Sequence, residues 1–552
     1  MSELCRHTPP AAQLYLIGLF KTMQTHKPGQ LMIQGTTSSC GKSLMVAALC
    51  RILHQDGYKV APFKAQNMSN NSFVTRDGLE MGRAQAVQAY AAGREPDVRM
   101  NPVLLKPSSD ASSQVVIKGK PAFTMNAHAW HETRGRLRQT VRECYESLAR
   151  EYDILVIEGA GSPAEINLKE NDIVNMGMAK MADAPVVIVG DIDRGGVFAS
   201  LVGTMQLLDP DERARVKGFI INKFRGNIEL LKPGLDQLTT LTGVPVLGIV
   251  PWIYHAIDEE DAATDRFDWK DYPSADVDIC IIRLPHISNL TDFIPLEAAP
   301  ATRVRWCDTK ESIGLPDLLI LPGTKATIAD LQALKESSIA EAVSEFAKNG
   351  GTVLGICGGF QMLGTNIADP AGVENSGGNE RGLGLLDMST EFYREKYTAQ
   401  RTVRIHGYSA WPFAALDGLE ISGYEIHMGR STYGPSCVPF TTTADPPGAG
   451  SVIGVADLSG RIAGTYCHGL FDSKEVVKGV INALRKVKGL PPIRDELIDR
   501  RHALENDLNR LASVCRERLD MQRIMDIINN HQQERDRHDR NYSHARRRTC
   551  SV

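Results

Sequence analysis

A cysteine flanked by glycines is the residue whose surroundings point most directly to catalysis. Cys357 ends a short apolar run and stands in the sequence Gly355-Ile356-Cys357-Gly358-Gly359. Glycines on both sides permit a sharp break from a buried strand into a helix, and the first amide groups of that helix favour a thiolate over a thiol. The pattern predicts a nucleophile elbow and acyl transfer through a thioester. A structural cysteine buried in an apolar run is the alternative.

A histidine further along the chain is the predicted partner of this thiol. His468 follows the β-prone run Gly464-Thr465-Tyr466-Cys467. An imidazole accepts and returns a proton near neutral pH, which a thiol nucleophile requires. His427, in Tyr424-Glu425-Ile426-His427, is a rival for the same role. Either histidine could instead be structural.

A glycine-rich loop in the first half of the chain has the order of elements that phosphate binding needs. A strand pattern at 31–34 leads into Gly35-Thr36-Thr37-Ser38-Ser39-Cys40-Gly41-Lys42-Ser43, and a helical pattern follows. Loop amides around Gly41 and the start of the helix would hold the phosphates, Lys42 would reach the transferred group, and Ser43 would ligate magnesium. Gly35 lies one residue early, so that Thr36 takes the expected glycine position. The alternative is a glycine-rich turn with an incidental lysine.

Two polar side chains at the ends of other predicted strands are further candidates. Glu158 ends the run Asp153-Ile154-Leu155-Val156-Ile157, and ligands collect at the carboxyl ends of strands in open parallel sheets. We therefore predict that Glu158 is a second magnesium ligand. Asn222 follows Ile220-Ile221 and could read adenine through its amide. Both side chains could instead cap turns.

The elements that must position these residues indicate an α/β protein. In the first half, short β-branched runs alternate with longer helical patterns, which predicts a parallel sheet with helices on both faces. The predicted strands lie at 30–34, 58–62, 154–157, 186–189, 216–221 and 246–250. A second α/β series follows, with predicted strands at 277–284, 318–321 and 352–356 and an irregular section rich in Gly and Thr at 375–464.

The chain length and local composition predict how these series divide into domains. A chain of 552 residues is too long for one core and implies two or three units. The acidic, Pro-containing stretch 252–276 has the composition of a linker. We expect an N-terminal extension over 1–30, an ATP-binding domain over 31–251, a second domain over 277–475, C-terminal helices over 476–530 and a disordered charged tail over 531–552.

The overall composition excludes several classes of protein. The formal net charge of -4 gives no electrostatic reason to expect a nucleic-acid partner. The longest apolar stretches are strand-sized and too short to span a membrane, and the first residues lack the pattern of a signal peptide. Eleven cysteines occur without a Cys-x-x-Cys pair, which favours free thiols in a reducing compartment. We therefore expect a cytoplasmic protein.

Several motifs together resemble a known family. Gly-Ile-Cys-Gly-Gly-Phe-Gln, Gly-Tyr-Glu-Ile-His-Met-Gly and Tyr-Cys-His-Gly-Leu-Phe resemble the class I glutamine amidotransferase domain of the cobalamin-pathway amidases. The phosphate loop resembles that of the dethiobiotin synthetase-like ATPases. Within the pathway, Pro-Phe-Lys-Ala-Gln-Asn-Met-Ser-Asn at 62–70, Gly-Arg-Ala-Gln at 82–85 and Asn-Pro-Val-Leu-Leu-Lys-Pro at 101–107 are similar to the cobyric acid synthase family rather than to the a,c-diamide synthases. The resemblance covers about 31–470.

This resemblance implies a fold and roles for single residues. It implies an ATP-dependent amidoligase domain followed by a flavodoxin-like glutaminase domain, with Cys357 as nucleophile and His468 as its partner. The amides of Gly358 and Gly323 would hold the oxyanion. Class I enzymes usually have a Glu two residues after the histidine, but this chain has Leu470 there. The group that orients His468 is therefore open, with Glu425 as one candidate.

The resemblance also implies a reaction. It implies amidation of the b, d, e and g carboxylates of adenosylcobyrinic acid a,c-diamide in cobalamin biosynthesis, with ATP, Mg²⁺ and glutamine as small-molecule partners, and it leaves open whether the chain forms homo-oligomers. One alternative is a glutamine-dependent amidase of another acceptor, of the a,c-diamide synthase type or acting on a cell-wall lipid. Another is a P-loop switch of the partitioning ATPase type, against which the appended thiol domain argues.

Overall fold

The computed structural model describes most of the chain. It covers residues 28–109, 112–126, 130–253, 255, 257, 275–374, 378–407, 412–444, 450–494, 496–533 and 535. The expectations for the N-terminal extension, the linker and the charged tail fall mostly outside these residues. Among the described residues, no helix is both long enough and apolar enough to cross a membrane.

A parallel sheet forms the centre of the first half, as the sequence predicted. The strands of this half are β1 (Gly29–Gly35), β2 (Val60–Lys64), β3 (Gln66–Met68), β4 (Ser72–Val74), β5 (Glu80–Gly82), β6 (Val103–Ser109), β7 (Ser112–Ile117), β8 (Lys120–Asn126), β9 (Ile154–Glu158), β10 (Val186–Asp191), β11 (Val216–Phe224) and β12 (Val246–Pro251). Six of them pair in parallel in the order β12-β11-β10-β1-β9-β2. Because helices cover both faces, the central strands are mostly apolar and are buried along nearly all of their length.

The helices of the first half lie on both faces of this sheet. They are α1 (Lys42–Gln55), α2 (Arg83–Ala91), α3 (Trp130–Ala149), α4 (Met176–Ala182), α5 (Val197–Leu207), α6 (Pro210–Arg213) and α7 (Lys232–Thr242). Two buried apolar clusters, one on each face, hold the layers together. The phosphate loop lies at the carboxyl end of β1, between the neighbours β9 and β10, which is where open α/β sheets bind ligands.

A mixed sheet forms the second half. Its strands are β13 (Val277–Ile282), β14 (Thr302–Cys307), β15 (Leu318–Leu321), β16 (Val353–Ile356), β17 (Asn366–Asp369), β18 (Gly378–Arg381), β19 (Met388–Ile405), β20 (Glu420–Tyr433), β21 (Cys437–Thr443), β22 (Val452–Asp457) and β23 (Ile462–Thr465). The sheet is parallel along β14-β13-β15-β16-β23 and continues with the antiparallel strands β22, β21 and β19. The prediction of an irregular section at 375–464 is wrong, because these Gly- and Thr-rich residues form long antiparallel strands.

Helices pack on the second sheet, and one of them returns to the first half. They are α8 (Ile294–Glu297), α9 (Lys310–Ile313), α10 (Thr327–Glu336), α11 (Ile339–Lys348), α12 (Gly358–Leu363), α13 (Lys474–Val487) and α14 (Arg500–Arg518). α13 packs on the second sheet, whereas α14 packs on α1. An ion pair of 2.8 Å between Arg51 and Glu505 accompanies this packing. The chain therefore crosses back after the second domain is complete.

The two halves also meet through a pair of hairpins. β4 and β5 form a short antiparallel hairpin in the first half, and β19 with β20 forms a long one in the second. Gln400 donates a hydrogen bond of 2.8 Å to the Val74 carbonyl, and Thr398 donates to the Gly78 carbonyl. Thr398 is paired with Ile426 on β20, directly before His427, so this contact lies next to a residue predicted to do chemistry.

Candidate active sites

Cys357 occupies a strained turn between β16 and α12. Its backbone has φ 50° and ψ −105°, a left-handed conformation that a residue with a side chain adopts at a free-energy cost. A Cβ at Gly359 would overlap the Leu321 carbonyl oxygen, so that only glycine allows α12 to start this close to β15. Such strain at a buried thiol is the geometry of a nucleophile elbow, as the sequence predicted.

His468 lines the same cavity as Cys357, and a buried carboxylate holds its imidazole. Its Nδ1 is 2.7 Å from an oxygen of Asp292, and both side chains are buried. Burial lowers the pKa of His468, but the Asp292 charge, its hydrogen bond and a hydrogen bond with Cys357 outweigh burial and raise the pKa to about 10. The arrangement therefore favours an imidazolium beside Cys357, the proton donor that a leaving ammonia requires.

The orienting carboxylate is not the one that the sequence suggested. Glu425 lies 3.2 Å from Nε2 of His427, so the suggestion that it assists His468 is wrong. Asp292 was missed because it precedes His468 by 176 residues and carries no motif. A lone acidic residue between apolar neighbours, Leu290 and Phe293, ten residues after the end of β13, was the available signal.

His427 is placed differently from His468. Its Nδ1 lies 2.8 Å from the Gly429 carbonyl oxygen, an acceptor to which Nδ1 donates a hydrogen bond. Its ring stacks on Tyr466, with 3.9 Å between the ring centroids. It lines the same cavity as Cys357, but its polar atoms are engaged by β20 itself. The geometry therefore favours His468 as the partner of the thiol.

The two predicted oxyanion residues adjoin the centre formed by Cys357 and His468. A Cβ on Gly323 would lie 3.1 Å from Cε1 of His468, and a Cβ on Gly358 would lie 3.0 Å from the Thr324 amide nitrogen. Gly323 thus lies beside the imidazole, and Gly358 directly follows Cys357 in the chain and packs on Thr324. Their role as oxyanion donors stays a prediction.

The phosphate loop brings three predicted residues together at the start of α1. Lys42 is buried and donates a hydrogen bond of 2.8 Å to the Thr37 carbonyl across the loop. The Ser43 hydroxyl donates to Glu158 at 2.7 Å. All three side chains line a cavity of about 420 Å³ at the carboxyl end of the first sheet. A lysine, a hydroxyl and a carboxylate in this order are what a nucleotide phosphate site needs.

Glu158 is held in its ionised form. Burial raises its pKa, but the charge of Lys64 and hydrogen bonds from Gln88, Lys64 and Ser43 outweigh burial and keep the pKa below its ordinary value. Lys64 donates at 2.9 Å and Gln88 donates to the other carboxylate oxygen. An ionised carboxylate beside a serine hydroxyl is the donor set that Mg²⁺ takes together with phosphate oxygens and water, so these residues fit the ion.

The other predicted nucleotide-binding residues join the phosphate loop to the neighbouring strands. The Thr36 amide donates to the Val189 carbonyl at 3.0 Å, which joins the loop to β10. Gly41 has φ 101°, and a Cβ there would overlap the amide of Asn222. Asn222 donates to the Cys40 carbonyl at 3.0 Å. This amide therefore has a structural contact with the loop, and its reading of adenine stays a prediction.

These two centres define a class of protein. The second domain carries a thiol, an imidazole and a carboxylate on an α/β sheet, and the first carries a phosphate loop on another sheet. This combination defines a glutamine amidotransferase joined to an ATP-using domain. Two family models match accordingly: a CobQ/CobB/MinD/ParA nucleotide binding domain over 31–261 and a CobB/CobQ-like glutamine amidotransferase domain over 278–476.

Whole-chain relatives identify the family. The chain is 49% identical to a cobyric acid synthase of Thermoanaerobacter sp., over 90% of this chain and 98% of the relative. It is 50% identical to one of Yersinia enterocolitica, over 92% and 99%, and 49% identical to one of Salmonella heidelberg, over 91% and 99%. The chain therefore belongs to the cobyric acid synthase family and is a glutamine-dependent, ATP-using amide ligase.

Proposed function

We propose that the chain amidates the b, d, e and g side-chain carboxylates of adenosylcobyrinic acid a,c-diamide. Glutamine supplies the nitrogen and ATP activates each carboxylate. The names of the relatives support the acceptor, and the presence of two separate centres supports the division of the chemistry. The buried Cys357–His468–Asp292 arrangement is the observation that carries the proposal, because it provides a source of ammonia.

In the second domain, Cys357 attacks the side-chain amide of glutamine. The oxyanion that forms is held by the amides of Gly358 and Gly323, and His468 gives its proton to the departing ammonia. The acyl group stays on the sulfur as a thioester. Water activated by the now neutral His468 then releases glutamate and restores the thiolate. Asp292 keeps the imidazole oriented through both steps.

In the first domain, a carboxylate of the acceptor attacks the γ-phosphate of ATP. Lys42, which lines the 420 Å³ cavity around the loop, offsets the charge that shifts toward the leaving ADP. Mg²⁺ held by Ser43 and Glu158 would supply further charge neutralisation on the phosphates. The acyl phosphate is an electrophile that ammonia converts to an amide, with phosphate leaving.

A change at the thiol tests the division between the two centres. Cys357→Ala removes the nucleophile but leaves the first domain intact, so we expect glutamine-dependent amidation to be abolished while ammonium chloride still supports amidation. Mass spectrometry of the corrinoid after incubation with ATP, Mg²⁺ and either nitrogen source measures this, because each acid-to-amide conversion changes the mass by a fixed amount. Equal loss with both sources contradicts the scheme.

The proposal includes the division of the chain into an ATP-dependent domain over 31–251 and a glutaminase domain over 277–475, joined by a linker over 252–276 and followed by helices over 476–530. The named residues of each centre lie within one of these ranges, and the family models match 31–261 and 278–476, which supports a division into two domains. We also infer a cytoplasmic location, since the proposed cofactor and substrates, ATP and glutamine, are cytoplasmic metabolites.

A further inference from the structure

A buried cluster of charges spans the junction between the two domains. Glu80, on β5 of the first domain, pairs with Lys106 on β6 at 2.7 Å and with Lys396 on β19 of the second domain at 2.5 Å. Ser72 donates to the same carboxylate at 2.7 Å and accepts from Lys106 at 2.7 Å. The three charged side chains are almost inaccessible to solvent. Two ammonium groups thus share one carboxylate.

This cluster forms part of the wall around the catalytic thiol. Lys106 and Lys396 line a small cavity, of about 50 Å³, that also contains Cys357 and His468. A third lysine, Lys325, lines the cavity from the loop after β15. The glutaminase cavity is therefore built from both domains, although its nucleophile and histidine come from the second.

Basic side chains outnumber carboxyl groups on the wall of the cavity, which is lined by Lys106, Lys325 and Lys396 and by the carboxyl of Glu374. The pKa of Glu80 lies far below its ordinary range, because Lys106 and Lys396 together outweigh the effect of burial. Glu80 is therefore ionised, and its one negative charge faces two lysines. Burial raises the pKa of Glu374, a carboxyl that lines the cavity, and lowers the pKa of Lys325, so neither member of this pair is readily charged. A buried ammonium group without its own counter-charge is unfavourable, so it either loses its proton or is joined by an anion. The α-carboxylate of glutamine is such an anion, and its side-chain amide must reach Cys357.

We propose that the first domain completes the glutamine site: Glu80 is a positioning residue that fixes Lys396 on the wall of the Cys357 cavity, where the ammonium group binds the α-carboxylate of glutamine. The inference rests on the glutaminase role proposed for Cys357. On this proposal, residues of both domains form the glutamine site.

The ionisation of Lys396 gives the proposal a pH dependence. Burial lowers the pKa of Lys396, Glu80 raises it, and Lys106 and Lys325 lower it further, so that the pKa falls to about 7. The charged form exists below that pKa, so kcat/KM for glutamine should fall as pH rises through about 7. The other titratable groups around the cavity are Cys357, Glu374, His427 and His468.

The direct test compares glutamine with glutaminamide, in which an uncharged amide replaces the α-carboxylate. The wild-type protein should prefer glutamine by about tenfold or more in kcat/KM, because a hydrogen bond between charged groups is lost with the amide. Lys396→Met should raise KM for glutamine and discriminate little between the two compounds. Lys396→Arg should keep the preference and flatten the pH dependence near 7, since arginine stays charged. Full discrimination in Lys396→Met overturns the proposal.

The contribution of the first domain is tested with Glu80→Gln. This variant should raise KM for glutamine while kcat and KM with ammonium chloride stay near wild-type values, which also shows that the protein is folded. Glu395→Gln is the matched control, because Glu395 neighbours Lys396 on β19 but forms an exposed pair with Arg430. Unchanged KM for glutamine in Glu80→Gln contradicts its positioning role. Failure of the wild type to use glutamine at all would instead contradict the proposed function.

Discussion

At the scale of single residues, the glutaminase centre depends on a carboxylate distant in sequence. Local patterns were sufficient to predict the sharp turn at Cys357, because consecutive residues determine a strand-to-helix elbow. Asp292 could not be predicted in this way, since the sheet brings it to His468 from a segment 176 residues away. The same holds for Lys396 and Glu80, which are 316 residues apart. Long-range pairs of this kind are properties of the folded topology.

Asp292→Asn tests the role of this carboxylate. Because Asp292 holds the pKa of His468 near 10, its neutralisation should lower that pKa and move the alkaline limit of kcat to lower pH. The protonated donor exists only below the pKa, so kcat at pH 8 should fall by about tenfold or more. The measurement is glutamate release at saturating glutamine from pH 6 to 10. Asp526→Asn, at an exposed position, serves as control, and an unmoved alkaline limit would argue against the role.

At the scale of elements, helix α2 connects the two centres. It begins directly after β5, where Glu80 contacts Lys396, and near its carboxyl end Gln88 donates to Glu158 at the phosphate site. Gln88 also donates to the Ser43 carbonyl at 3.3 Å. The continuous segment of β5 and α2 therefore carries both the carboxylate that contacts Lys396 and the amide that holds Glu158. The sequence predicted the parallel sheet from its periodic apolar strands, but not this contact between domains.

Gln88→Ala tests the phosphate-site end of α2. Without this hydrogen bond the Glu158 carboxylate is less well oriented, so KM for ATP with Mg²⁺ should rise by roughly three- to tenfold. Initial rates of amidation with ammonium chloride measure this apart from glutamine hydrolysis. Gln139→Ala, which removes an exposed amide on α3, is the matched control. Equal KM values in both variants would exclude an orienting role for Gln88.

At the scale of the whole molecule, α14 makes the first domain depend on residues beyond the second. Its apolar face, with Leu508 and Leu511 fully buried, packs on α1 as part of the core of the first domain. The sequence predicted helices in this region but gave no signal for the sheet on which they pack. Amphipathic spacing shows that one face of a helix packs against another element. Which element this is depends on the three-dimensional path of the chain.

Leu508→Ala tests this packing. Removal of a fully buried leucine side chain leaves a cavity and should lower the free energy of unfolding by about 2–5 kcal/mol. Leu241→Ala, at an exposed position of α7, should change it by less than about 0.5 kcal/mol. Urea denaturation followed by circular dichroism compares the two. Equal midpoints would show that α14 adds little to the stability of the first domain.

The return of α14 to α1 has a consequence for synthesis on the ribosome. The apolar face of α1 emerges early, but its covering helix is translated only after the entire glutaminase domain. At bacterial elongation speeds of about 5–20 residues per second, this delay is on the order of tens of seconds. During that interval the nascent chain presents an uncovered hydrophobic surface, and a fragment ending at the domain linker would retain that surface permanently and be prone to aggregate.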